Sequence, residues 1–263
     1  MSMLINPYMF GGGPKTALEM VQAAGFTSGL QLCLDPADSA SYSGSGNWLD
    51  TSGNSNNFQA GAGSPTFNGS AGGKSPSEYW TGNATANPWF EETTTQTFMQ
   101  PYHENNALFT ILGALYVPTL SGPGNVYLLG DITSSLSQRG FRLGLFGGTT
   151  IQFQVGNNTG TAALAVADAT LSANVQVGWN VLGIAVDEAA GSYRAFINTG
   201  SSTGSATYSS PSAGVGSQPN YCGRPTSATA WRLGPVLSWN NAKSLSDYNA
   251  LYAQLKARFT TLP

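Results

Sequence analysis

The sequence predicts an all-β protein: a two-sheet sandwich with a short helix near its start and an amphipathic helix at its end. Three observations carry that prediction. Segments of alternating apolar residues recur between residues 29 and 239, a period of two that fits half-buried strands. Turn chemistry separates them, supplied by 33 Gly, 14 Pro and clusters of Asn, Asp and Ser, residue types that break or bend the backbone or make local side-chain turns. Charged residues are only 9% of the chain, against roughly 25% in an average soluble domain, so hydroxyls and amides must solvate the surface. Coiled coils and helical bundles need Glu and Lys on their outer faces and are excluded. With 10 Lys and Arg against 13 Asp and Glu, a net charge of −3, there is no basic stripe for nucleic acid. Aromatics at 11% argue against charge-driven disorder.

In chain order, the first element is an arm. Ile5, Pro7, Tyr8, Met9 and Phe10 form an apolar tip, and Gly11, Gly12 and Gly13 follow as a hinge with no enthalpic reason to hold one conformation. A short helix is expected over residues 14–24, with Pro14 in its first turn, Gly25 as a left-handed cap, and Leu18, Met20 and Val21 as its apolar face. This division places an anchoring arm with its helix at 1–28 and the sandwich at 29–263.

The β region opens where Leu30, Leu32 and Leu34 alternate with Gln31, Cys33 and Asp35. Residues 36–57 are turn chemistry, and residues 58–87 give only weak strands near Phe67 and Trp80. The signal strengthens at 107–117 (ALFTILGALYV), 125–131 (NVYLLGD), the hairpin 141–155, the hairpin 179–198 and the last strand at 230–239 (AWRLGPVLSW). The period then changes: Tyr248, Leu251, Tyr252, Leu255 and Phe259 share one helical face. Ser244 and Asp247 make a capping-box pattern at its start, and Lys256 and Arg258 sit on the polar face near its end, where they suit the helix dipole.

Motifs of known chemistry fail on context. His103 is the single histidine, and no C-x-x-C or H-E-x-x-H pattern occurs, so zinc chemistry is not expected; His103 and Glu104 read as a polar loop pair. The match of residues 200–204 to G-x-S-x-G lacks the following helix of a nucleophile elbow and reads as a Ser/Gly loop. Residues 68–75 miss the first glycine of a P-loop, and Pro76 follows at once. Glycoside hydrolysis needs two carboxylates facing across a cleft; Glu91 and Glu92 are adjacent, and Asp187 and Glu188 fall in a hairpin turn. Asp50, Asn54, Asn56, Asn57 and Asp131 are calcium-ligand types that read as turn formers. Cys33 and Cys222 are expected to be reduced thiols rather than a disulfide framework. For sugar binding, Trp89 is the best single residue, because it lies in a loop-like stretch, whereas Trp48, Trp179, Trp231 and Trp239 flank or occupy strands and default to core packing.

Residues 30–57 (LQLCLDPADSASYSGSGNWLDTSGNSNN) resemble the opening of laminin-G-like, concanavalin A-like jelly-roll domains found in tailed-phage structural proteins. A first strand ends in Asp35 and a W-x-D-x-S-G-N-x-N turn runs from Trp48 to Asn56. Residues 179–187 with 193–198 are similar to the family's hairpin, although Thr199 precedes Gly200; residues 233–237 with Leu245, Ser246 and Asp247 are similar to its closing strand and helix. The resemblance covers residues 29–259 and implies a concanavalin A-like jelly roll. Family members bind sugars, bind proteins or only build structure, so it leaves function open; the calcium ligands and hydrolase carboxylates of relatives have no counterparts here.

The leading functional expectation is a structural protein of a phage virion: a capsid decoration or tail component, anchored to other virion subunits through Ile5, Pro7, Tyr8, Met9 and Phe10, homo-oligomeric, and contacting host glycans through Trp89. The alternatives are a free carbohydrate-binding module or adhesin and, after it, a polysaccharide-cleaving enzyme. No visible signal peptide and no apolar run long enough to span a membrane lead to the expectation of synthesis and folding in a cytoplasm, which for a virion part is that of the bacterial host. No enzyme activity, metal, cofactor, nucleic acid or membrane partner is expected.

Overall fold

A computed structural model describes residues 15–82, 88–93, 96–120, 124–132, 138–159, 162–225 and 230–263. The expected arm tip and hinge, and Pro14, lie outside the described residues. Fifteen strands and two α-helices occur among those described. The strands are β1 (Leu30–Leu34), β2 (Phe58–Ala60), β3 (Thr66–Asn68), β4 (Tyr79–Gly82), β5 (Phe90–Glu92), β6 (Leu108–Val117), β7 (Val126–Gly130), β8 (Arg139–Phe146), β9 (Thr150–Asn157), β10 (Ala162–Asp168), β11 (Gly178–Asp187), β12 (Ser192–Ile197), β13 (Gly200–Ser205), β14 (Tyr221–Pro225) and β15 (Trp231–Trp239). The helices are α1 (Ala17–Ala23) and α2 (Leu245–Arg258). An eight-stranded sheet runs β13-β12-β11-β6-β15-β4-β3, with β1 also paired to β15. A seven-stranded sheet runs β10-β9-β8-β7-β14-β5-β2. Every strand pair is antiparallel. This is the two-sheet jelly-roll sandwich that the alternation predicts.

The two sheets are not equivalent, and the sequence of β6 says why. Phe109, Ile111 and Leu115 point into the core between the sheets, while Leu112 and Ala114 point out of it into a second apolar cluster. β11, its partner in register from Gly178 opposite Val117 to Asp187 opposite Leu108, does the same with Leu182, Ile184 and Val186 inside and Val181 and Ala185 outside. A strand buried on both faces must be apolar throughout, which is what residues 107–117 display. Gly113 is the exception: a Cβ there would lie 2.5 Å from the Leu128 side chain across the core, so only glycine allows the two sheets to approach at that point. β8 and β9 alternate more plainly, with Phe141, Leu143, Leu145, Ile151, Phe153 and Val155 in the core and Arg142, Gln152 and Gln154 on the opposite face.

The second cluster is made by the helices. Tyr248, Leu251, Tyr252, Leu255 and Phe259, the predicted apolar face of α2, cover the outer face of the eight-stranded sheet against Trp179, Phe196 and Trp239. The capping box of Ser244 and Asp247 is present. α1 adds Ala17, Met20 and Val21 to the same cluster, so the helix expected in the arm is packed into the body. It starts from Thr16 in a capping box with Glu19. It ends as predicted at Gly25, which has φ +76°. There the Gly25 N–H donates to Gln22 O and the Phe26 N–H to Val21 O, a Schellman closure.

Four expectations need correction. Residues 200–204 are not a loop but most of β13, paired along β12; glycine and serine suit an edge strand laid against Tyr193, whose ring a Cβ at Gly204 would strike. Strands β2, β5, β10 and β14 lie where little or no strand signal is read: β2, β5 and β14 are too short to show a period, and β10, mostly alanine, has little polar–apolar contrast. Arg258 is not on the polar face of α2: it is buried and paired with Asp35. His103 is not a polar loop residue either. Both it and Asp131 are fully buried, with Nε2 and Oδ2 3.2 Å apart.

Candidate functional site

α2 does not cover the whole outer face of its sheet. Beyond Phe259, Thr260 and Thr261 border the sheet's far end, which carries a row of side chains that follows directly from register. Trp179 on β11 faces Tyr116 on β6, Tyr116 faces Arg232 on β15, and Arg232 faces Thr81 on β4. Tyr79 lies two residues before Thr81 on the same face, and Asn68 of β3 is opposite it, donating from Nδ2 to Thr81 Oγ1 at 2.7 Å.

Packing orders this row. The Arg232 guanidinium lies over the Tyr116 ring at 4.2 Å and near the Tyr79 ring at 5.2 Å. Each tyrosine meets the Trp179 indole edge-on, at 5.7 and 5.8 Å, a favoured aromatic geometry. Trp179 is itself wedged against Phe259 at 4.7 Å, so the aromatic floor is continuous with the second core. Gln176 fixes the adjoining wall, donating from Nε2 to the carbonyls of Trp179 and Thr261, each at 2.8 Å.

Above this floor is an open groove of about 670 Å³, bounded by Asn68, Ser77, Val177, Thr260 and Thr261 as well as the aromatic row. A smaller hollow of about 160 Å³ lies on the other side of Tyr116 and Arg232, against Thr81 and Trp231. Gly178 opens the groove's mouth. Its φ is +112° and nothing lies within 4 Å of where a Cβ would be. The groove thus offers flat aromatic faces, amide and hydroxyl groups, and one guanidinium. That set can hold a ring with an apolar face and a polar rim; its described lining contains no Asp, Glu, His or Cys for acid–base or nucleophilic chemistry.

The sequence-predicted residues lie elsewhere. Trp89 is half-buried beside β5. It is on the seven-stranded sheet, since Phe90 turns into the core while Trp89 and Glu91 face away from it. Its indole N–H donates to Glu91 Oε1 at 2.8 Å, the Arg224 guanidinium stacks over it at 4.5 Å, and Gly61 abuts its pyrrole side. It is an ordered surface aromatic with both flanks engaged, and it is not part of the groove. Ile5, Pro7, Tyr8, Met9 and Phe10 lie outside the described residues. Of the predicted calcium-type residues, Asp50, Asn54, Asn56 and Asn57 lie in a turn as read, while Asp131 is buried against His103 instead. Asp50 accepts from the N–H groups of Cys33, Ser52 and Asn56, and Asn57 accepts from Asp50 N. Glu92 is buried and paired with Asn220, Glu188 accepts from Asn106 N and Tyr208 N, and Ser202 of the G-x-S-x-G match donates to Asp168.

Tyr116, Arg232 and Tyr79 were missed by sequence reasoning. A signal for two of them was present: Tyr116 and Arg232 are the polar-tipped positions in otherwise apolar strands, at parities that put them on the outer face. Their meeting depends on the β6–β15 register, which no local pattern reveals.

No protein-family model matches the chain and no curated protein matches it. Solved structures match it in fold. The binding domain of Botulinum neurotoxin DC in complex with SialylT is 12% identical, with TM-score 0.62 over 87% of this chain and 52% of that one. The same binding domain in complex with rat synaptotagmin II is 11% identical, with TM-score 0.62 over 88% and 52%. The binding domain of Paraclostridial Mosquitocidal Protein 1 is 14% identical, with TM-score 0.57 over 86% and 52%. The chain therefore spans about half the length of these structures. At such identities the likeness is one of fold. The jelly-roll part of the resemblance drawn from the sequence stands, and these neighbours are toxin binding domains rather than phage proteins.

Proposed function

We propose that this chain is a lectin-like binding domain that holds a glycan in the groove at the uncovered end of its helix-bearing sheet. The observation that carries the reading is the Trp179–Tyr116–Arg232 row with Tyr79 beside it. It is a rigid aromatic floor next to amides and hydroxyls, on a chain with few charges. Sugars present an apolar ring face and a polar rim, and mostly apolar, largely pre-formed pockets with a few placed polar groups are what small ligands occupy. The binding-domain neighbours support the reading by fold analogy alone. We assign no catalysis to the groove, since its described lining lacks the paired carboxylates that glycoside cleavage requires.

A glycan array with neutral and acidic oligosaccharides tests this reading. The wild-type protein is expected to bind a subset of the array, and Tyr116→Ala to lose that binding while keeping its fold by circular dichroism. Trp89→Ala is the paired control: loss of binding there instead would move the site to the seven-stranded sheet. Absence of binding across the array would defeat the proposal.

The virion placement is a second, finer reading, favoured by the apolar tip and triple-glycine hinge of residues 5–13. An arm of that kind repays its ordering only on a partner surface. Deleting residues 1–13 is expected to abolish incorporation into particles and leave the sandwich folded; normal incorporation would remove this reading.

A further inference from the structure

The geometry points to Arg232 as an anion reader: the groove selects sugars that carry a carboxylate or sulfate group. This deepens the glycan reading and rests on it.

Arg232 is held by aromatic rings at the edge of the groove. Its guanidinium stacks on Tyr116 and Tyr79. It makes no hydrogen bond or ion pair with any described residue, and neither hollow beside it is lined by an acidic side chain. Arg224 is held in a similar way, over Trp89 and Tyr221 on the seven-stranded sheet, but no comparable groove adjoins it among the described residues; three other arginines are engaged through their N–H groups. Arg258 donates to Asp35, Arg142 to Gln154, and Arg139 to the carbonyls of Val215 and Ala213. The guanidinium carbon sits over the tyrosine rings, a favourable cation–π arrangement that uses none of its five N–H donors. Those donors lie in the guanidinium plane, at its edge, on a residue that lines the groove. A planar fork fixed in direction and lacking an acceptor matches the two oxygens of a carboxylate, or two of a sulfate. The neighbours are suited to the rest of the sugar: Asn68, Ser77, Thr260 and Thr261 offer polar groups to hydroxyls, and Trp179 an apolar floor. On a chain of net charge −3, this puts a positive group with no acidic partner among the described residues in a ligand-sized groove.

The test is calorimetric titration of the full chain with two pairs of probes: a hyaluronan tetrasaccharide and the same oligosaccharide with its carboxyls reduced to alcohols, and a sulfated galactan oligosaccharide and its desulfated form. The wild-type protein is expected to prefer the charged member of at least one pair by about tenfold or more, and to lose much of that preference as salt rises. Which pair shows the preference identifies the anion as carboxylate or sulfate. Arg232→Gln is expected to bring charged and neutral members within about twofold of each other, with thermal midpoint unchanged. Arg232→Lys, which keeps the charge but loses the fork, is expected to fall between. If charged and neutral members bind wild type equally, or if Arg232→Gln keeps the preference, the anion assignment is overturned while the glycan reading stands. If no member of either pair binds and the array is also blank, the glycan reading falls and takes this one with it.

Discussion

Arg258 donates from Nη1 to Asp35 Oδ2 at 2.8 Å, with both side chains fully buried. The pair joins the last turn of α2 to the end of β1. The same carboxylate accepts from Ala17 N at 2.7 Å and Ala37 N at 3.0 Å, so one buried charge gathers α1, α2 and β1. The Arg258 Nε–H also reaches the Ser75 carbonyl at 3.3 Å. A buried pair of this kind is weak as a net source of stability but costly to break, because the surviving charge is left desolvated. Arg258→Ala is expected to lower the unfolding free energy by about 3–5 kcal/mol, measured by urea denaturation. Asp35→Asn with Arg258→Met together are expected to cost less than Arg258→Ala alone. A double variant as unstable as the single one would show that packing, not the stranded charge, dominates.

The apolar side of α2 supplies a separate test. Leu255 is buried in the cluster between this helix and the eight-stranded sheet. Leu255→Ala is expected to destabilise by about 2–5 kcal/mol, the range for emptying a core leucine site. A loss below about half a kcal/mol, small against that range, would make the helix peripheral. That would also undercut the wall formed by Phe259 and Thr261, and with it the groove.

Much of this architecture was legible locally, and the reasons for success and failure are physical. α2 was readable because its apolar face repeats at helical spacing over several turns and its start carries a capping box. β6, β8, β9, β11 and β15 were readable because period two, or an unbroken apolar run, persists over many residues. β2, β5 and β14 were not, since in three to five residues a strand shows no period that turn residues cannot hide. Arg258 was misplaced for a different reason: a charged residue at a helix end suits both the dipole and a buried partner, and the partner, Asp35, is distant in sequence. The groove was invisible for the same reason. Trp179 looked like a core residue, and is one on its underside, while its meeting with Tyr116 and Arg232 is fixed by pairing between distant strands.

The pair of His103 and Asp131 makes stability depend on pH. Burial is the main influence on the Asp131 carboxyl and pushes its pKa up; His103 and the Phe141 N–H, which donates to Oδ1 at 2.6 Å, pull it down. In the unfolded chain the group titrates near its ordinary value of about 3.9. Between that value and the raised native one, the folded protein binds more protons than the unfolded chain, so Asp131's contribution falls as pH rises through the window. Asp131→Asn keeps an acceptor for Phe141 N and removes the titration. The urea midpoint of wild type minus that of the variant is expected to decrease with rising pH across weakly acidic conditions. A difference that stays flat, or that increases, contradicts the assignment.

The two thiols test the integrity of both apolar clusters at once. Cys222 lies between the sheets and Cys33 in the cluster beneath the helices, both free and both wholly buried. Burial pushes each thiol well above its ordinary range, opposed at Cys33 by a hydrogen bond with Thr51. The thiolate is the reactive species, so neither group should react with a disulfide reagent in native, mildly alkaline buffer, and both should react in denaturant. Any slow native reaction measures local opening of the segment that holds the thiol. Cys33 is the informative one, because β1 pairs with β15 alone and shares its outer face with α1 and α2. Leu255→Ala is therefore expected to accelerate labelling of Cys33 and leave Cys222 unchanged. Equal acceleration of both would mean that the two clusters open together, as a single cooperative unit.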